Sequence, residues 1–127
     1  MMFGITLLAC LLAILFPPIE RTRLRALARQ IANADRVVLT NSLEHIKGEF
    51  SDTEAQKLIF AVSHSQIIPT VKGAEYNCPG GMYLGFYRGT NLLAQVPGHY
   101  DHFHISETFY HDGSGALHRA WNVLNNE

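Results

Sequence analysis

Four of the seven histidines fall within thirteen residues. They stand in His99-Tyr100-Asp101-His102-Phe103-His104 and in His111-Asp112. Side chains alternate along a strand, so His102 and His104 share a face with Cα atoms about 6–7 Å apart. Two imidazoles at that spacing can converge on a borderline ion such as Zn²⁺. The ion needs one or two more ligands, for which His99, His111 and Asp101 are at hand. A regular strand turns Asp101 to the opposite face and leaves His99 and His111 at its ends. The simpler account is a solvent-facing strand whose histidines are satisfied by their neighbours. No cofactor is required, and Zn²⁺ or another transition metal is the alternative.

Cys78 offers a second chemistry. It precedes Pro79-Gly80-Gly81, a loop that exposes the thiol and leaves backbone amides free for an oxyanion. Paired with a histidine it would be the nucleophile of a thiol hydrolase. No spacing specifies that partner, and an ordinary loop cysteine fits as well. Aromatic residues are a third candidate. Tyr83, Tyr87 and Tyr100 are the binding residues expected on the open face of a sheet, with Tyr76, Phe109 and Tyr110 nearby in sequence. Such amphipathic rings are enriched at interfaces. Stacking of RNA bases needs positive charge as well, and only Arg88 and Lys72 supply it here. A nucleic-acid partner is not expected.

The elements that position these residues follow from patterning. The chain has 127 residues, too few for two full domains and enough for one modest core. Fourteen of the first sixteen residues are apolar. As a helix they reach about 24 Å, against about 30 Å of hydrocarbon; extension to Ile19 nearly closes the gap. No Lys or Arg precedes position 21, and no small-residue cleavage site follows. Leu7-Leu8-Ala9-Cys10 resembles the lipobox of bacterial lipoproteins, but the basic region is missing and the apolar run continues past Cys10. The expectation is an uncleaved single-pass anchor over 1–19. Residues 20–36 carry net charge +3 and the remainder −4. Positive charge flanking the C-terminal end of the anchor places the domain in the cytoplasm, with an exported or periplasmic domain as the alternative.

Residues 20–34 read as a basic amphipathic juxtamembrane helix. Leu24, Leu27, Ala28 and Ile31 make its apolar stripe, and Arg21, Arg25 and Arg29, with Arg23, make it basic. A small α+β domain fills 35–127. Arg36 to Thr40 is a short strand, and 42–50 is ambiguous. Ser51-Asp52-Thr53-Glu54 spells a capping box, which predicts a helix over 53–64 with the Ser51 hydroxyl on the amide three residues on. Residues 66–71 are at most an edge strand, because of Pro69. Alternation over 82–87, the turn at 88–91 and the run 92–96 predict a hairpin that Pro97-Gly98 breaks. A third strand spans 100–105, with Phe103 and Ile105 inward and Tyr100, His102 and His104 outward. Asp112 or Ser114 caps a last helix.

These elements add up to an α+β fold. An antiparallel β-meander carries helices on one face as a two-layer sandwich, preceded by an N-terminal apolar helix. Its expected function is that of a membrane-anchored binding module without catalysis. Its partners are membrane lipid, through the N-terminal segment, and a protein. Metal binding by the histidine cluster and thiol hydrolysis through Cys78 are the alternatives.

Overall fold

The computed structural model describes residues 19–41, 45–68 and 82–125. The fold is α+β, and among the described residues it comprises a seven-stranded antiparallel sheet and three helices. Residues 1–18 of the proposed anchor, Cys10 among them, and Tyr76 and Cys78 lie outside the described residues, while Ile19 is described and exposed.

Helix α1 (Ile19–Ile31) buries Leu24, Leu27 and Ile31, the three- and four-residue repeat of its sequence. Strand β1 (Arg36–Thr40) follows, with Val37, Val38 and Leu39 buried. Strand β2 (Ile46–Ser51) returns antiparallel to it. Helix α2 (Asp52–Ser63) buries Ala55, Leu58, Ile59, Ala61 and Val62. Two-residue β3 (Gln66–Ile67) lies at a sheet edge. Then β4 (Met82–Arg88), β5 (Asn91–His99), β6 (His102–Ile105) and β7 (Thr108–His111) run as a meander, and α3 (Ala116–Asn125) ends the described chain. The strand order is β2-β1-β4-β5-β6-β7-β3.

Register fixes which side chains share a face. Val37 pairs with Phe86, Leu39 with Leu84, Leu84 with Val96, and Phe103 with Tyr110. These residues join the buried residues of α1, α2 and α3 in one apolar cluster. Phe103 and Tyr110 stack with ring centroids 5.3 Å apart. The Tyr110 hydroxyl donates to the Glu20 carbonyl, which pins the first turn of α1 to β7. Helix α1 and the rest of the α+β fold therefore share a core.

Several expectations are corrected. β5 does not stop at Pro97-Gly98 but runs to His99. Pro97 stands just before β5 acquires its second neighbour, since pairing with β6 starts at Gly98. The missing N–H therefore costs at most one ladder bond. A Cβ on Gly98 would sit 3.1 Å from the His102 carbonyl oxygen, so glycine lets β6 close on β5. The ambiguous stretch 42–50 supplies β2, and β7 was not anticipated. Ser51 occupies the N-cap position of α2 but makes no side-chain cap bond. It remains paired with Arg36 in the ladder, and Asp52 then turns through φ +51°, which carries the hydroxyl away from the helix amides.

The C-terminal helix is capped as expected, with both candidates in use. Asp112 is 4% exposed, and its carboxylate accepts from the Leu117 amide at 3.0 Å and from the Ser114 amide and hydroxyl at 2.9 and 2.7 Å. The Ser114 oxygen accepts from the Ala116 amide at 3.3 Å.

Candidate functional site

The other face of the sheet follows from the same register. Arg36, Val38 and Thr40 of β1 stand beside Tyr87, Gly85 and Tyr83 of β4. Gly85 and Tyr83 in turn pair with Gln95 and Pro97 of β5. A bulge beside Tyr87 brings Leu92 opposite that tyrosine. Toward the far edge His99 pairs with His102, His102 with His111, and His111 with Gln66. His104 pairs with Phe109. Tyr83, Tyr87, His102 and His104 lie on the side away from the apolar cluster, as predicted, but His102 is only 5% exposed and does not face solvent.

The tyrosines have different surroundings. Tyr83 is 36% exposed and Leu92 is 50% exposed. Tyr87 is half-buried and held inside the molecule. The Arg36 guanidinium carbon lies 4.8 Å from its ring centroid, and a Cβ on Gly85 would come within 2.9 Å of its Cε2. Arg36 itself pairs with Glu49 at 3.0 Å and donates to the Gly89 carbonyl at 3.1 Å. Tyr100 is not on the strand at all. It begins the β5–β6 turn at φ +63°, and its ring lies 4.5 Å from His118 and 6.1 Å from Trp121 of α3. Tyr110 is a core residue rather than a surface one. Burial pushes its hydroxyl above the ordinary tyrosine range; Arg23 pulls it partly back and Glu20 adds to the rise.

The histidine cluster is organised by a residue that strand alternation assigned to the wrong side. Asp101 lies in the turn before β6, so alternation does not apply to it. Its Oδ1 is 3.4 Å from His102 Nδ1, and its Oδ2 is 3.1 Å from His111 Nε2. With protons on those nitrogens, both imidazoles donate to one carboxylate. The Asp112 amide donates to the Asp101 carbonyl at 2.8 Å and ties the turn to the end of β7. His102 is buried, while His111 is half-buried. His104 Nδ1 is bonded to the Ser106 carbonyl at 3.1 Å, and its ring lies 5.2 Å from Phe109. For His99 the backbone position in the ladder is defined.

Chemically, this arrangement ties two strands and a turn together through one carboxylate. Among the described residues, no three or more His, Cys, Asp or Glu are placed to hold a metal ion. No described serine, threonine or cysteine side chain bonds to the His111 ring.

The basic residues divide in the same way. Arg21, Arg25 and Arg29 are exposed along α1, and Arg23 is half-buried on the side of Tyr110. None of the four forms an ion pair with a described residue. Arg36, which contributed to the +3 count, is neutralised by Glu49. Among the described residues no helix is long and apolar enough to cross a membrane. No known protein family, curated protein or solved structure matches this chain.

Proposed function

We propose that this chain is a small membrane-anchored interaction module that performs no catalysis. In this reading residues 1–19 hold it to the bilayer, 20–34 form the juxtamembrane helix, and 35–127 present a binding surface on the cytoplasmic side. The architecture proposed is a two-layer sandwich with helices on one face. Support comes from the apolar cluster, which takes residues from all three helices and one sheet face.

One observation carries the binding role. The opposite face exposes Tyr83 and Leu92 and half-exposes Phe109, while His102 and His111 are engaged with Asp101 and His104 with the Ser106 carbonyl. Aromatic and apolar area beside polar groups with settled partners suits a protein surface.

The test is affinity isolation of the full chain from detergent-solubilised membranes of its native cells. A stoichiometric protein partner is expected, and Tyr83→Ser combined with Leu92→Ser is expected to lose it. Repeated isolation with no partner, or a partner indifferent to both substitutions, would overturn the proposal.

A further inference from the structure

We infer that the exposed arginines of α1 form an electrostatic seat for an anionic lipid surface, which α1 touches without inserting. The inference rests on the anchored reading above and specifies the lipid class and the contact. An amphipathic helix that enters a bilayer does so with its apolar face. In α1 that face is already occupied: Leu24, Leu27 and Ile31 are at most 9% exposed and belong to the domain's core. What remains outward is Arg21, Arg25 and Arg29, at four-residue spacing, with Thr22, Ala26 and Gln30. Residues four apart lie on one helix face, so the three guanidinium groups form a line about 12 Å long.

Two hollows flank Arg25. One, of about 510 Å³, is bounded by Arg21, Arg25, Ser63 and Gln66. The other, of about 470 Å³, lies between Thr22, Arg25, Ala28 and Arg29. Both are open to solvent and leave space beside a guanidinium, a group that binds phosphate oxygens through paired N–H donors.

Two further features select a bilayer over other polyanions. Three guanidinium groups in a line need an extended negative surface. The described helix starts at Ile19, and in the sequence it follows sixteen residues of which fourteen are apolar and then Pro17-Pro18. If that segment is in lipid, the line starts within a few residues of the headgroups. The −4 charge of the rest of the chain favours an orientation with its bulk turned away from an anionic surface.

The test uses the full chain in lipid nanodiscs, one set of phosphatidylcholine and one enriched in phosphatidylglycerol. Arginines are labelled with phenylglyoxal and read by peptide mass spectrometry. The seat predicts labelling of Arg21, Arg25 and Arg29 about tenfold slower on the anionic discs. Protection should vanish at about 1 M salt, where screening acts within about 3 Å. Exposed Arg88 and Arg119 serve as internal controls and should label equally on both discs. Equal labelling of the three arginines on both discs overturns the inference. Their protection by a DNA oligonucleotide in the absence of lipid also overturns it, by assigning the line to nucleic acid. Failure of the anchor is read separately, as a chain that phosphatidylcholine discs do not retain. In that event anionic vesicles are added to the free chain, and selective protection of the three arginines still supports the seat.

Discussion

Tyr110 shows how much one side chain can join. Its ring stacks on Phe103 in the core, and its hydroxyl donates to the Glu20 carbonyl of α1. Tyr110→Phe keeps the ring and loses the bond, which should cost about 1 kcal/mol at neutral pH by urea unfolding. The pH dependence has a definite sign. The folded state holds the phenol proton more tightly than the unfolded chain does. Native protein thus binds more protons once the pH passes the ordinary tyrosine value of about 10, and stability falls as pH rises from there. The variant lacks that loss, so its deficit against wild type should narrow in alkali. A constant difference would contradict the burial of the hydroxyl. Asp112 bears a comparable load at the start of α3. Asp112→Ala leaves the buried Leu117 amide without its acceptor and should cost about 2 kcal/mol in the same assay.

At the scale of elements, two substitutions separate what local sequence implies from what is formed. A capping-box serine replaced by alanine ordinarily loses about 1 kcal/mol. Here Ser51→Ala should change thermal stability by less than about 0.5 kcal/mol, because the hydroxyl makes no cap bond and the residue is exposed. Gly89 opens the β4–β5 turn at φ +60° with open space around it, so Gly89→Ala should cost about 1 kcal/mol from backbone strain alone. Much of the fold was legible from period alone: α1, α2, β1 and the β4–β5 hairpin all follow apolar repeats. What escaped was set by two-residue turns that put neither glycine nor asparagine at the positive-φ position. The β5–β6 and β6–β7 connections place Tyr100 and Ser106 at φ +63° and +55°, where glycine or asparagine would have signalled a hairpin. Without those signals the sequence pattern does not show β7, and alternation puts Asp101 on a strand face. The linkage of Asp101 to His102 and His111 could not be read either, because it depends on the register of β6 against β7. Asp112 and Ser114 were readable because a cap is a local signal.

Across the whole molecule, the apolar cluster makes α1 inseparable from the sheet. Ile31 is fully buried, and Ile31→Ala should destabilise the protein by about 3 kcal/mol. A chain shortened to begin at Asp35 should show no cooperative unfolding transition by calorimetry, since it lacks Leu24, Leu27, Ile31 and the Tyr110 acceptor. A sharp transition in that shortened chain would mean that the helix is an accessory. The join between α1 and the core also has a mechanical meaning. A pull on Ile19 would act directly on a helix end. It would load α1, which is about 20 Å long, and through Leu24, Leu27, Ile31 and the Glu20–Tyr110 bond it would strain the middle of the domain. The helix is therefore a stiff bracket with little reach, and the sheet face that carries Tyr83 and Leu92 moves as one with Ile19.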